Sequence, residues 1–126
     1  AACPRVTIVP CPESNLFIEG RLADYNLLRA SGVRLAVGTD SLSSSPTLSI
    51  LKQLEVVNTY YPNIPIAELL EWATINGAEG CLFDGLGALK LGARPGLNLV
   101  LAPEWRQRSL RHSCVCPVAT QTTLLN

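Results

Sequence analysis

Apolar side chains cluster in two short runs in the first third of the chain. The runs cover residues 5–10 and 33–38, are rich in aliphatic side chains, and each ends at a proline or a glycine. Runs of this length between turn residues are typical of strands that are buried between helices in a parallel sheet. Between them, residues 22–31 carry apolar side chains at helical spacing before Gly32, which predicts a helix and its C-cap.

Two further segments connect or follow these elements. Residues 11–20, CPESNLFIEG, are predicted to be a loop because a proline and a glycine interrupt them. After the second strand, Ser45 is suited to be an N-cap and Pro46 to be the first residue of a helix that reaches about residue 60. Later in the chain, the same patterns predict a helix over residues 66–76, a helical turn over 78–83 and a strand over 97–102.

The order of these elements is strand, helix, strand, helix, which is typical of an α/β fold with a parallel sheet. The loops CPESN and TDSLSSS each follow a predicted strand. In sheets of this kind, binding and catalytic residues lie at the carboxyl ends of the strands. We therefore expect these two loops to form one site.

Composition narrows the class of protein. The chain has 126 residues, of which 48% are hydrophobic, with 10 Lys plus Arg against 10 Asp plus Glu. This size fits one compact domain or a piece of a larger one, and the balanced charge predicts neither nucleic acid nor a membrane as partner. No apolar run approaches the roughly 20 residues of a membrane span. The chain contains no Met and begins without a secretion signal, so we expect its true N-terminus to be missing.

The five cysteines do not fit a secreted disulfide framework, because their number is odd and their spacing irregular. We therefore predict a reducing, cytoplasmic location with most thiols free. Cys11 and Cys81 stand among apolar residues and are predicted to be buried packing residues. Cys114 and Cys116, with His112 nearby, could bind a soft metal, although their spacing matches no common zinc pattern.

Asp40 is the main candidate for chemistry, because this lone carboxylate follows a predicted buried strand. It could be an ordinary turn or N-cap residue, or it could bind a metal ion or carry a proton. The chain has a single histidine, His112, so Ser14 and Ser41 have no convincing base for a serine triad. The residue types in this chain therefore do not by themselves make up a recognisable active site.

Four motifs together resemble a known family. PCPESN, ASGVRLAVGTDS, ATINGAEG and GLGALKLGARPGLNLVLA, in this order over about residues 10–102, look like the C-terminal part of the amidohydrolase superfamily. More narrowly, the chain resembles the branch that contains cytosine deaminase, the chlorohydrolases, and the adenosylhomocysteine, guanine and aminofutalosine deaminases. It implies a fragment of a metal-dependent hydrolase that deaminates a nucleobase, a nucleoside or a related heterocycle with an activated water.

The resemblance also implies a fold. Residues 6–10 and 33–38 would be strands 7 and 8 of a (β/α)8 TIM barrel, each with its helix. Residues 1–95 would then be the C-terminal segment of the barrel. Residues 96–103 would be a strand that returns to a small β-sandwich domain, and residues 104–126 an irregular tail.

For the site, the resemblance implies a role for each matching residue. Asp40 would contact a divalent metal, Zn or Fe, and would take the proton of the hydrolytic water. Ser14 and Asn15 would border the pocket of a small heterocyclic substrate, and Ser41 would brace Asp40. In ATINGA, Thr74 and Asn76 would hold backbone rather than substrate.

The chain also departs from the family pattern. The metal-binding histidines of the earlier barrel strands have no counterpart and would lie upstream of Ala1, and Asn98 stands where the family often has an aspartate. A quarter of a barrel leaves strand edges unpaired, which favours self-association into a homo-oligomer, and we expect this chain alone to be inactive. Two other hypotheses remain: a non-catalytic interaction module, and a redox or metal module built on Cys114 and Cys116.

Overall fold

The computed structural model describes residues 6–93 and 96–98. The chain divides into two units, Ala1–Pro95 and Gly96–Asn126. In the second unit only residues 96–98 are described, and they are exposed. The described part of the first unit contains, in order, β1 (Thr7–Ile8), α1 (Pro12–Glu19), α2 (Tyr25–Ala30), β2 (Arg34–Leu35), α3 (Ile50–Tyr60), α4 (Ile66–Trp72) and α5 (Ile75–Gly80).

The two strands form a parallel pair, as the order of elements predicts. Thr7 pairs with Arg34, and Ile8 with Leu35. Two backbone bonds of 3.0 Å, from Ala36 N to Ile8 O and from Gly38 N to Pro10 O, continue this pairing towards the carboxyl ends. The strands are less buried than predicted, because β1 is only half-buried and is followed by an exposed Val9.

The predicted loop over residues 11–20 is wrong, because most of it forms helix α1. Pro12 occupies the start of the helix, where its missing N–H costs no hydrogen bond. Gly20 adopts a φ of 67° at the C-cap, and its N–H donates to Leu16 O at 3.1 Å. The two residues that suggested interruption are therefore the start and stop signals of a helix.

The predicted start of the helix that follows the second strand is also wrong. α3 begins at Ile50, and its N-cap is Ser49, whose side chain accepts from the N–H of Lys52. Ser45 does not cap the helix, because its hydroxyl donates to Thr47 O at 2.8 Å and contacts a carboxylate of α1. The residues before Ser49 instead form part of the loop that follows β2.

The helix predicted over residues 66–76 is two helices, α4 and α5. The break lies at Ala73 and Thr74, and Thr74 has a φ of −130° and a ψ of −95°. Its hydroxyl donates to Leu70 O at 2.6 Å, one turn earlier. A threonine bond of this kind competes with the helical backbone pattern and often bends a helix. The segment that was predicted as a turn over 78–83 thus overlaps the end of α5.

An aromatic group joins the helices of the core. The Tyr25 ring stacks on Trp72, with centroids 5.6 Å apart, and meets Tyr61 edge-on at 5.2 Å. Leu54 and Val57 of α3 and Leu69 of α4 are fully buried. Aromatic pairs in these geometries are favourable beyond the area they bury.

The side chains of Asn76 and Thr74 donate hydrogen bonds to backbone carbonyls, as predicted. Asn76 Nδ2 donates to Leu35 O at 2.8 Å and so ties α5 to β2. The prediction of two buried cysteines is wrong in part, because Cys11 is half-buried and Cys81 is exposed. Cys81 follows directly after α5, at a helix end rather than on a packed face.

Two predictions fall largely or wholly beyond the described residues. They are the strand over residues 97–102, apart from its first two residues, and the tail with His112, Cys114 and Cys116. Among the helices that the structure describes, none has the length and apolar character needed to cross a bilayer.

Candidate functional site

The structure brings the two predicted loops together. Asp40 lies beyond the carboxyl end of β2, and Ser14 lies in the first turn of α1, beyond the carboxyl end of β1. Because the strands are parallel, both positions fall at the same edge of the sheet. Ser14 Oγ donates to Asp40 Oδ2 at 2.9 Å. We use the name Asp40 loop for residues 39–49.

A second hydroxyl, which the sequence analysis missed, reaches the same carboxylate oxygen. Ser44 Oγ donates to Asp40 Oδ2 at 2.8 Å, and the Ser14 and Ser44 hydroxyl oxygens lie 3.0 Å apart. Both serines are buried, whereas Asp40 is exposed. The hydrogen bond from Ser44, followed by those from Ser14 and the Ser41 backbone, holds the pKa of Asp40 below its ordinary value. The site thus presents an ionised carboxylate to solvent.

Ser41, which the resemblance predicts to brace Asp40, reaches it through its backbone rather than through its hydroxyl. Ser41 Oγ lies 2.6 Å from Ser43 Oγ. Ser44, four residues after Asp40, takes the place expected for Ser41. The run of three serines after Leu42 carried this signal, but the sequence alone does not show which hydroxyl turns inward.

The backbone around Asp40 is unusual. Asp40 has a φ of 59°, in the left-handed region that aspartate tolerates better than most residues. Two residues earlier, Gly38 leaves room for its neighbours: a Cβ there would lie 3.0 Å from Cys11 Sγ and 3.2 Å from Val9 Cγ1. Non-glycine residues with this backbone conformation occur often at functional sites.

Asn15 follows Ser14 on α1 and makes the first hydrogen bond of the helix, from its N–H to Cys11 O at 2.8 Å. Its side-chain Oδ1 is buried and has no hydrogen-bond partner among the described residues. A buried acceptor without a donor is costly. The predicted role of Asn15 at the pocket border stays a prediction, and this oxygen is the atom that could accept from a ligand.

Cys11 lies close to Asp40, and its thiol is held in the protonated form there. Burial, and then the charge of Asp40, raise the pKa of its thiol. A thiol with a raised pKa is mainly protonated and weakly reactive. The Cys11 thiol lies beside the ends of both strands, near Val9 O and Gly38.

The described residues of this site supply only part of the ligands that a metal ion needs. An exposed, ionised carboxylate fits one contact to a divalent ion such as zinc. Within residues 6–93 and 96–98, however, no group of three or more His, Cys, Asp or Glu side chains could hold a metal. Asp40 is therefore one candidate ligand and not a complete metal site.

Behind the site lies a buried carboxylate that the sequence analysis also missed. Glu13 precedes Ser14 on α1 and is 8% exposed, and Gln53 of α3, which contacts it, is 0% exposed. Nothing in the local pattern marks either residue, because 40 positions separate them along the chain.

Comparison with known proteins gives one family and a consistent set of relatives. The sequence model of the amidohydrolase family matches residues 2–115. The 5-methylthioadenosine/S-adenosylhomocysteine deaminase of Moorella thermoacetica is 32% identical over 104 residues, which are 76% of this chain and 24% of that protein. The aminodeoxyfutalosine deaminase of Deinococcus radiodurans is 33% identical over 70 residues, which are 56% of this chain and 17% of that protein.

A solved structure shows the same likeness. The adenosine deaminase from Xanthomonas campestris, with bound zinc, superposes with a TM-score of 0.62 at 28% identity. The match covers 69% of this chain and 22% of that one. The chain thus spans about a quarter of the length of the Moorella relative and of this structure.

Proposed function

The chain belongs to the amidohydrolase family, and from this premise we propose that it is the C-terminal part of a metal-dependent aminohydrolase. The substrate class is a small heterocycle with an exocyclic amino group, and the reaction releases ammonia. The names of the relatives support this class, since the matched proteins are named as deaminases of adenosine derivatives or of aminodeoxyfutalosine.

The observation that carries the proposal is the position and state of Asp40. Its carboxylate lies at the carboxyl edge of two adjacent parallel strands, where enzymes of barrel architecture carry their catalytic groups. Two buried hydroxyls donate to one of its oxygens, which favours the ionised form and leaves the group exposed. An ordinary turn aspartate needs neither buried donor.

In the proposed architecture, β1 and β2 are strands 7 and 8 of the barrel. The described residues of the first unit, 6–93, belong to the C-terminal segment of that barrel. The parallel register of β1 with β2 supports this arrangement. So does the likeness to 22% of the zinc-containing adenosine deaminase.

The chemistry assigns different roles to the residues present. A divalent metal, Zn or Fe, would supply Lewis acidity that makes water a nucleophile near neutral pH. Asp40 would be one ligand of that metal, and its ionised carboxylate would accept the proton of the attacking water. Ser14 and Ser44 hold Asp40 Oδ2, which fixes the direction of the carboxylate. Asn15 offers its buried Oδ1 as an acceptor for the substrate amino group.

The test is an ammonia-release assay on the chain joined in frame to the upstream part of the Moorella thermoacetica deaminase. Substrates are adenosine, 5-methylthioadenosine, S-adenosylhomocysteine, cytosine and guanine, with zinc present. We expect ammonia from at least one substrate with the joined protein, and none with this chain alone or with the upstream part alone. A folded, zinc-containing joined protein that deaminates none of the five would contradict the proposal and would favour a non-catalytic interaction module.

A further inference from the structure

The buried carboxylate of Glu13 is the centre of a polar cluster behind Asp40. Its Oε2 accepts from Gln53 Nε2 and from Thr47 Oγ1, both at 2.7 Å. Ser45 Oγ lies 3.1 Å from the same oxygen and shares its proton with Thr47 O. We use the name Glu13 cluster for Glu13, Ser45, Thr47 and Gln53. Donors converging on one oxygen stabilise a buried carboxylate that would otherwise be costly to desolvate.

Gln53 makes two hydrogen bonds to Glu13, one as acceptor and one as donor. Its Oε1 accepts the backbone N–H of Glu13 at 2.9 Å, while its Nε2 donates to the Glu13 carboxylate. The side-chain amide therefore satisfies a free N–H in the first turn of α1 and the buried charge at once. A carboxylate of the same shape could accept the N–H but could not donate to Glu13. The geometry thus requires an amide at this position.

The Glu13 cluster connects three elements around the candidate site. Glu13 belongs to α1 and Gln53 to α3, and the other two members belong to the Asp40 loop. Each hydroxyl that bonds to Asp40 is a chain neighbour of a cluster residue, because Ser14 follows Glu13 and Ser44 precedes Ser45. The cluster therefore sets the separation between these hydroxyls, which is 3.0 Å between their oxygens.

We infer that Glu13 and Gln53 are positioning residues, which hold the Asp40 loop against α1 so that Ser14 and Ser44 meet on the same oxygen of Asp40. The catalytic consequence of this role rests on the proposed function. The geometric role does not, because the cluster would order the loop whether or not Asp40 takes part in catalysis. The side-chain hydrogen bonds to Asp40 come from Ser14 and Ser44, so Glu13 and Gln53 act on it through these two serines.

The experiment measures amide hydrogen exchange by NMR in the full chain. The reporters of the Asp40 loop are the N–H groups of Ser44 and Ser45, which both donate to Ser41 O. The reporters of the sheet are those of Ala36 and Gly38. A loss of global stability accelerates both sets equally, whereas a loosened loop accelerates only the first.

The variant Gln53→Glu keeps the size of the side chain but places a second carboxylate against Glu13. We expect exchange at Ser44 and Ser45 to accelerate by about tenfold or more, the effect of losing one hydrogen bond to a charged group. Exchange at Ala36 and Gly38 should remain unchanged. The reversed pair, Glu13→Gln with Gln53→Glu, restores a donor opposite a carboxylate and should recover most of the protection of the loop.

If Gln53→Glu does not fold, Thr47→Val decides the question, since it removes one donor to Glu13 without adding charge. It should accelerate the loop reporters alone, by several-fold to about tenfold. Unchanged exchange at Ser44 and Ser45, an equal acceleration at loop and sheet, or a reversed pair as loose as Gln53→Glu would each overturn the inference. These outcomes are independent of the ammonia assay, so the inference and the proposed function can fail separately.

Discussion

At the scale of single residues, the hydrogen bonds from Ser14 and Ser44 to Asp40 can be tested through the pKa of the Asp40 carboxyl group. In Ser44→Ala the carboxylate loses the hydrogen bond that lowers its pKa most, so the pKa of Asp40 should rise towards its ordinary value of 3.8. Titration of the Asp40 side-chain carbon by NMR measures this change. Ser43→Ala is the matched control, because that hydroxyl pairs with Ser41.

The sign of the effect on stability follows from the same shift. A carboxyl whose pKa is lowered in the folded state stabilises the fold above its ordinary pKa, and this contribution is lost as the pH falls through the lowered value. Ser44→Ala should therefore lower the free energy of unfolding above the ordinary pKa of the carboxyl group, and this difference should vanish as the pH falls through the lowered value. Identical Asp40 titrations in Ser44→Ala and Ser43→Ala would contradict the assignment.

Loss of the hydroxyl group should have different effects on stability at Tyr25 and at Tyr61. The Tyr25 hydroxyl is buried without a hydrogen-bond partner in the described part of the chain, whereas Tyr61 donates to Ala23 O at 2.9 Å. Tyr25→Phe should leave the free energy of unfolding unchanged or raise it by up to about 1 kcal/mol, and Tyr61→Phe should lower it by about 1 kcal/mol. Urea denaturation of both variants measures this difference, and a larger loss in Tyr25→Phe would show that its hydroxyl has a partner.

At the scale of elements, the bond from Asn76 to Leu35 O fixes α5 against β2. In Asn76→Ala a carbonyl at the sheet loses its side-chain donor, so the free energy of unfolding should fall by about 1–2 kcal/mol. Asn63→Ala is the matched control, because the Asn63 amide donates to Asn26 Oδ1 on the exposed surface. Equal losses in the two variants, measured by thermal or urea denaturation, would show that Asn76 does not connect these elements.

The elements also show where local patterns mislead. Strands β1 and β2 followed from apolar runs, because such a run indicates a strand without any knowledge of its neighbours. Helix α1 was missed because Pro12 and Gly20 have the same local meaning at helix ends as in loops. The start of α3 was misplaced because Ser45 bonds to Glu13, and that partner lies 32 positions away.

At the scale of the whole molecule, topology rather than local pattern brings the site together. Parallel order alone predicted that the loops after β1 and β2 would meet, and Ser14 does contact Asp40. The Glu13 cluster could not be predicted, because it depends on how α1 and α3 pack. Several large apolar side chains in the described part are exposed, including Phe17, Leu42 and Leu91. The proposed barrel would cover some of these side chains.

The central claim is that Asp40 is the proton acceptor of a hydrolytic deaminase, and Asp40→Asn tests it most directly. Asparagine keeps the size of the side chain and tolerates the left-handed backbone, so the loop should stay intact. In the joined protein that releases ammonia, we expect kcat to fall by at least about 100-fold, the usual contribution of a general base. Asp24→Asn, the same change at the cap of α2, should retain nearly full activity. Full activity in Asp40→Asn would contradict the account.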